Sequence, residues 1–404
     1  MNHYPYPSPH SHTSRPDGGI GRRAGLKNQW EFSLAGSIPA PGTILKLFGI
    51  YLMKRIVFYL LFLALPAFTP GCKPQPEKET KQNIILDVDT SVDDLLSILY
   101  FLSCPDINIK AITIENGVSC IDSGAEIVLR LLSITGHPEI PVAKGTGQPL
   151  EGNNAFPKQW QPPVDKPFGL ELPAHKLKVS ETEATELITH LVSTYKNDIT
   201  ILALGPMTNI ARVFMNKPKL AKNINQIYVS DGAVSVEGGI YLECPEINNR
   251  VSGWNLWVDA RAASIVFSSG SPVVLVPLDL TSLHGRDPLL LKADFYTVYK
   301  QQARGMIGDC MTTLMGNWLD SYQYDAQEGS IIKMVPIWDV VASMIYHHPE
   351  IGTVWQSSHV QIKEGGPEIA GQIVTLDTGS PNVKICLKGN QVLLDSLLLQ
   401  TATR

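Results

Sequence analysis

The 404-residue sequence predicts an α/β domain with an open, mostly parallel central sheet flanked by helices. Three observations predict it. Short apolar, strand-like runs alternate with helix-patterned segments along most of the chain. The polar clusters fall where those apolar runs end, which is where open α/β sheets bind ligands. Composition is that of an ordinary folded domain, 44% hydrophobic and 18% charged, with no internal repeat. The net charge of −5, with no basic stripe, argues against a nucleic-acid partner.

Four segments precede or make up this domain. Residues 1–52, rich in Gly, Pro, Ser, His and Arg and without helical or strand period, resemble translated non-coding sequence more than a protein segment, so Met53 is the expected start. Residues 53–72 read as a bacterial lipoprotein signal: Lys54 and Arg55 supply the charge, Ile56 to Leu65 the apolar stretch, and Gly71 precedes the lipidated Cys72. That apolar stretch is short for a membrane span. Residues 73–82, "KPQPEKETKQ", form a charged tether. Residues 83–404 are expected to form one folded domain. The expected location is the bacterial cell envelope, held to the membrane by the lipid alone. Cys104, Cys120, Cys244, Cys310 and Cys386 are spaced too widely for a disulfide framework or a zinc pattern, and most read as small buried hydrophobes.

The elements follow in order. "NIILDVD" is a first strand ending in acid, and "VDDLLSILYFLSC" the helix after it. "INIKAITIENG" is a second strand, and "DSGAEIVLRLLSITG" a second helix stopped by Gly136. "DITILALGP" leads into the helix "MTNIARVFMN", "INQIYVSDGA" is another strand, and "SIVFSSGSPVVLVPLDLT" holds a helix end and a strand. In "VPIWDVVASMIY" one more acid sits where a strand-like segment meets a helix. One site built from many loops is the expectation.

Its centre is "ILDVDTSVDD", which puts Asp87, Asp89, Asp93 and Asp94 into eight positions. Two like charges about 4 Å apart cost on the order of 4 kcal/mol at an effective dielectric of ~20. A cation, a shared proton or full solvation must relieve that crowding. Clustered hard oxygen donors suit Ca²⁺ or Mg²⁺ better than zinc. The plainer alternative is that Asp93 and Asp94 favour a helix N-terminus while Asp87 faces water.

"IILDVDTSVDDLLSI" resembles the N-terminal signature of the inosine–uridine nucleoside hydrolase family, Asp-x-Asp-x-Gly-x-Asp-Asp. "LALGPMTNIA", "NLWVDARAASIVFSSGSPVVLVPLDLT" and "VPIWDVVA" match three further family stretches in order, so the resemblance spans about residues 83–345. It implies Asp89 as general base and Ca²⁺ ligand, Asp94 and Asp339 as further ligands, and Leu204 as a carbonyl ligand. It also implies that Asp93 and Asn255 hold the ribose hydroxyls and that Asp87 stands behind the metal. The implied reaction is hydrolysis of a ribonucleoside N-glycosidic bond, with a positively charged sugar in the transition state. Trp338 stands where the family usually has a leaving-group His, as in a purine-preferring branch that stacks the base. Trp160 is a candidate for the opposite face of that stack, with core cover as its alternative. A homo-oligomer is implied by the resemblance only.

The chain departs from the pattern in places. The signature Gly is Ser91, with Thr90 where Pro is usual. "ENGV" replaces the usual Gly-Asn, so Asn116 is the substitute candidate for substrate binding. Ser230-Asp231 replaces Met-Gly, Gly239 replaces an Asn that would touch the 5′-hydroxyl, and Gly253 replaces a Glu. The extra stretch "IYLECPEINNRVSG" offers Glu243, Glu246, Asn248 or Asn249 for that 5′ contact. Two other readings compete. Asp87-x-Asp89 superficially resembles the nucleophile motif of aspartate-based phosphatases, but the later Lys and acidic pair are not found. A calcium- and ribosyl-binding lipoprotein without turnover, or a hydrolase of a modified nucleoside, would keep the fold and the metal side alone. Asn209 reads as a structural tie. His137, His347 and His348 read as solvated or capping residues, and His284 as the one histidine near the site.

Overall fold

The computed structural model describes residues 81–321, 324–326 and 330–404. The signal segment, Cys72 and all but the last two residues of the tether lie outside the described residues. A nine-stranded sheet runs through the domain. In chain order its strands are β1 (Gln82–Val88), β2 (Ile107–Ile114), β3 (Val142–Lys144), β4 (Thr200–Ala203), β5 (Gln226–Ser230), β6 (Val273–Val276), β7 (Gly352–Ile362), β8 (Ile373–Leu376) and β9 (Val383–Gly389). Their spatial order is β8-β7-β9-β6-β5-β4-β1-β2-β3. All pairings from β9 to β3 are parallel, and β7 runs antiparallel to both its neighbours. The mostly parallel sheet expected from the alternation is therefore present. The three strands β7–β9 come from the C-terminal stretch, where the sequence pattern is faint.

Strand pleat sorts the residues of β1 onto two cores. Ile84, Leu86 and Val88 pack into one and Ile85 into the other, all fully buried. A central parallel strand covered on both faces reads as a continuous apolar run for this reason. The first core takes the helices Val92–Leu102, Ile121–Thr135, Gly305–Ser321 and Trp338–His347. The second takes Ala184–Tyr195, Thr208–Asn216 and Ala260–Ser268. Each fully buried Leu or Ile adds about 1.5–3 kcal/mol of transfer free energy, so these cores hold the strand ends in place. Helix Ile121–Thr135 ends at Gly136, whose φ of 80° closes the helix in the left-handed conformation.

The strand ends line up. Val88 pairs with Ile114, Asp87 with Ala203, Ala203 with Val229 and Ser230 with Val276. The residues just beyond, Asp89, Glu115, Leu204 and Asp231, therefore emerge side by side along the carboxyl edge of the sheet. The five described cysteines are free; four are buried and Cys120 is exposed.

Candidate active site

The end of β1 separates the two acids of the first motif, since Asp87 lies within the strand and Asp89 just beyond it. Asp87 points with Ile85 toward the second core, where Thr113 Oγ1 donates to its Oδ1, as does Asn209 Nδ2 at 3.0 Å. Asn209 also ties back to the Ile114 carbonyl, and its N–H donates to Glu115 Oε1 at 2.6 Å. These residues form a buried brace, as expected for Asn209 and for Asp87 standing behind the site. Asp89, past the strand end where the chain turns, lines a cavity with Asp93, Leu204, Asn255, Trp338 and Asp339.

The turn between β1 and the next helix is tight. Thr90 carries the left-handed φ of 63°, which an L-residue rarely adopts, and its hydroxyl donates to the Asp89 carbonyl at 2.8 Å. The left-handed residue of this turn is therefore Thr90, at a position where the family pattern has Pro. Ser91 then starts the helix: its N–H donates to Asp94 Oδ2 at 2.8 Å, and its hydroxyl donates to Asp93 Oδ1. The Asp339 N–H, at the start of Trp338–His347, donates to Asp93 Oδ2 at 3.2 Å. Two helix starts thus converge on one carboxylate.

Asp89 Oδ2 accepts the Val118 N–H at 3.1 Å. Gly117 makes that approach possible: a Cβ there would lie 2.1 Å from Asp89 Oδ2. The changed "ENGV" sequence thus serves Asp89 directly. Asn116 itself is half-buried and is not among the residues that line the cavity; from this turn it is the Val118 N–H that reaches Asp89.

Four carboxylates share this corner, and each is pushed up. Burial, joined by the charge of Asp93, raises Asp89 to about 6 against the pull of its hydrogen bonds. Burial raises Asp94 well above its usual value, and the charges of Asp339, Asp89 and Asp93 add to it. Asp339 is raised in the same way, and Asp93 by burial. Asp94 is fully buried, behind the cavity surface, and its Oδ1 meets no hydrogen-bond donor. Among the described residues, no three His, Cys, Asp or Glu side chains already close around one point. The donor chemistry nevertheless fits a hard cation, with Asp89, Asp94 and Asp339 crowded against one another, an orphaned carboxylate oxygen, and the Leu204 carbonyl alongside.

Asn255 Nδ2 donates to Leu204 O at 2.9 Å and to Ser230 O at 3.3 Å, which leaves its Oδ1 as the acceptor. That tie between Leu204 and Asn255 has no signature in the sequence. Trp338 is half-buried in the cavity wall with Trp318 at 6.4 Å, edge to face. Trp160, 3% exposed, lines the cavity too and packs edge-on to Trp254 at 5.0 Å, so it belongs to both core and wall. Phe156 stacks on Trp254 at 5.4 Å. Sequence reasoning missed Phe156 and Trp254, which lie outside its motifs.

On the wall toward residues 239–243, Asp231 and Glu243 line the cavity. Of the four candidates in the extra stretch, the structure brings Glu243 to the cavity. Glu246 and Asn248 are exposed, and Asn249 is spent on the Pro367 and Ala370 carbonyls. His284 lines the cavity as an exposed residue. His347 is corrected: its side chain is 6% exposed, accepting or donating to Tyr100 Oη at 2.7 Å and Asp106 at 2.8 Å.

Residues 84–393 match the family model described as inosine-uridine preferring nucleoside hydrolase. A probable uridine nucleosidase 1 of Oryza sativa subsp. japonica is 31% identical over 206 residues, 51% of this chain and 61% of that protein. The pyrimidine-specific ribonucleoside hydrolase RihA of Escherichia coli O1:K1 / APEC is 29% identical, over 67% of this chain and 81% of its own. Among solved structures, the purine-preferring ribonucleoside hydrolase from Gardnerella vaginalis has a similar fold, with a TM-score of 0.68 at 23% identity, covering 80% of this chain and 98% of that one. The match spans less than two thirds of the length of the rice protein, at 61%. With the family model covering most of the domain and the motif residues gathered at one strand edge, the chain belongs to the inosine–uridine preferring nucleoside hydrolase family.

Proposed function

We propose that the protein is a calcium-dependent N-ribohydrolase that cleaves ribonucleosides, purines in preference, to ribose and free base. The observation that carries this reading is Asp89, a buried carboxylate lining the cavity and raised by burial to about 6. Beside a bound cation that carboxylate would be ionised at neutral pH and placed to take a proton from water. Asp89, Asp94, Asp339 and the Leu204 carbonyl would hold the cation. Calcium there supplies positive charge that relieves the carboxylates and acidifies a nearby water.

The chain's own groups do the rest. Asp93, fixed by Ser91 and the Asp339 N–H, presents acceptor oxygens to the sugar's hydroxyls. Asn255 Oδ1 adds a further acceptor from the short helix Trp254–Val258. Together they fix the sugar's orientation, which converts an encounter into a unimolecular step. Asp89 accepts the proton of the attacking water, and the surrounding carboxylates favour the positively charged sugar as the bond breaks. Trp338 lies against the base, where an electron-rich indole favours a protonated, better-leaving purine. The aromatic wall of Trp160, Phe156 and Trp254 excludes water. The lipoprotein-type signal supports an envelope-anchored enzyme that meets nucleosides arriving from outside.

The test is ribose release by residues 73–404 from inosine, guanosine, adenosine, uridine and cytidine, with calcium and with a strong chelator. Asp89→Asn is expected to lower kcat/KM by about a thousandfold. Equal rates on uridine and inosine would remove the stacking role of Trp338. No release from any nucleoside, with calcium still bound, would favour a binding protein or a modified substrate.

A further inference from the structure

The cavity offers a ligand many acceptors and few free side-chain donors. Five carboxylates line it, Asp89, Asp93, Asp231, Glu243 and Asp339, and among the described residues no Lys or Arg does. Most of its side-chain donors are spent. Asn255 Nδ2 donates to the Leu204 and Ser230 carbonyls, and the Ser91 hydroxyl to Asp93. Trp254 Nε1 donates to Glu243 Oε2 at 2.5 Å, and Trp318 Nε1 to the Pro336 carbonyl at 2.8 Å. What those two rings leave to a ligand is carbon and π surface. His284, the one histidine in the lining among the described residues, is exposed.

The aromatic rings sit beside the groups that hold the cation and the sugar. Trp338 immediately precedes Asp339, and Trp254 immediately precedes Asn255, each pair opening its own helix. A sugar seated among Asp93, Asp339 and Asn255 therefore has an indole next in the chain on both helices. Trp318 packs on Trp338 at 6.4 Å, Phe156 stacks on Trp254 at 5.4 Å, and Trp160 meets Trp254 edge-on at 5.0 Å. Aromatic rings backed by carboxylates are the surroundings that hold organic cations. The ring quadrupole attracts positive charge, and carboxylates without basic partners deepen that potential across a water-poor space. A neutral base gains the stacking alone. A cationic base gains both.

The chemistry of departure leads the same way. When the C1′–N bond of a neutral purine breaks, the electron pair leaves the base an anion unless a proton arrives. Trp338 stands where the sequence pattern leads one to expect a proton-donating His, and an indole keeps its N–H proton. A base that is already cationic takes the same electron pair and leaves neutral. The water oxygen bonds to C1′, its proton passes to Asp89, and no second proton is called for.

We propose that the preferred substrates are ribosides of cationic bases, N-ribosylpyridinium or N-alkylated purinium compounds, held between the Trp338 and Trp254 walls and released as neutral bases. The assignment rests on the hydrolase reading above, in which Asp89 activates the water.

The test uses the calcium-loaded protein. Binding is read from tryptophan fluorescence with two rings that differ in charge, 1-methylnicotinamide and nicotinamide. The methylated cation is expected to bind about 10-fold more tightly. Ribose release is then followed from nicotinamide riboside, 7-methylinosine and inosine, each rate divided by that of spontaneous hydrolysis. This acceleration is expected to be about 100-fold larger for the two cations, because inosine forgoes a general acid. Trp338→His adds a donor and removes the indole, so inosine should gain, nicotinamide riboside should lose, and the preference should fall by at least about 10-fold. Trp338→Phe keeps a ring with a weaker quadrupole. It should weaken 1-methylnicotinamide and leave nicotinamide nearly unchanged, which keeps the test meaningful if the His variant folds poorly. Equal binding of the two rings by wild type would overturn the proposal, as would a Trp338→Phe change that weakens both alike. Ribose from inosine with no larger acceleration for the cations leaves the hydrolase reading standing and overturns this one. Tighter binding of the cationic ring with no ribose from any riboside overturns the hydrolase reading instead.

Discussion

The two helices that build the catalytic corner carry opposite chemistry at their two ends. Val92–Leu102 begins with Asp93 and Asp94 and holds Tyr100 in its last turn; Trp338–His347 begins beside Asp339 and ends at His347. At the far ends, away from the cavity, the polar groups are matched. Tyr100 Oη meets His347 Nδ1 at 2.7 Å, and His347 Nε2 meets Asp106 at 2.8 Å. Burial alone would raise Asp106, but the hydrogen bond and charge of His347 outweigh it and leave Asp106 below its usual value. At the near ends, Asp94 Oδ1 is orphaned and all four carboxylates are pushed up. One pair of helices is thus tied down at one end and held in electrostatic tension at the other. Buried polar groups that are satisfied stabilise a fold, and groups left unsatisfied wait for something else to satisfy them.

Among changes that leave every carboxylate in place, the largest effect should come from disturbing the tense end. Gly117→Ala would drive a Cβ into Asp89 Oδ2 and shift the carboxylate. Displacement of a reacting group by about an ångström costs on the order of 100-fold, so ribose release should fall by about that factor with little change in the unfolding midpoint. The next effect sharpens the contrast. Calcium at about 100 times its Kd should stabilise the protein by roughly 2.7 kcal/mol, read as a rise in Tm that a chelator reverses. Asp94→Asn should abolish most of that rise and leave the metal-free protein more stable than wild type, because a repelling charge is gone.

The matched end should behave the other way. His347→Ala leaves Tyr100 Oη and Asp106 without their partner and should cost about 2 kcal/mol in a urea titration, with kcat/KM nearly unchanged. A comparable loss of activity would show that the two ends are coupled through the helices. The smallest effect is the pH dependence of Glu243. Its folded pKa of about 7 stands above the usual 4.5, so the folded state binds the extra proton, and stability falls as pH rises from about 4.5 through 7. Glu243→Gln should remove that fall, so its Tm advantage over wild type should grow between pH 5 and pH 8. A pH-independent difference would place the carboxyl in solvent.

The elements around the first motif were legible because local rules and fold agree there. Apolar runs ending in acid became β1 and its neighbours, and Gly136 stops its helix as its lack of Cβ allows. Asp89, Asp93, Leu204, Asn255, Trp338 and Asp339 could be named from spacing and resemblance, and all six line one cavity. The C-terminal strands β7–β9 were not legible, since strands with many exposed or half-buried positions carry a weak apolar pattern. His347 looked solvated because a helix-end histidine normally is. Its partners, Tyr100 and Asp106, lie more than 240 residues away in the chain.

By itself the sequence determined the α/β order, the crowded carboxylates and the residues that would carry the chemistry, because those properties depend on residue type and short spacing. Only the tertiary structure decided how the departures compensate one another. Gly117 clears room for Asp89, and Asp231 enters the space vacated at Gly253. Glu243, rather than its three neighbours, reaches the cavity. Each is a question of which atoms share a volume after distant strand ends are brought together, and close packing answers it across separations that spacing along the chain does not encode.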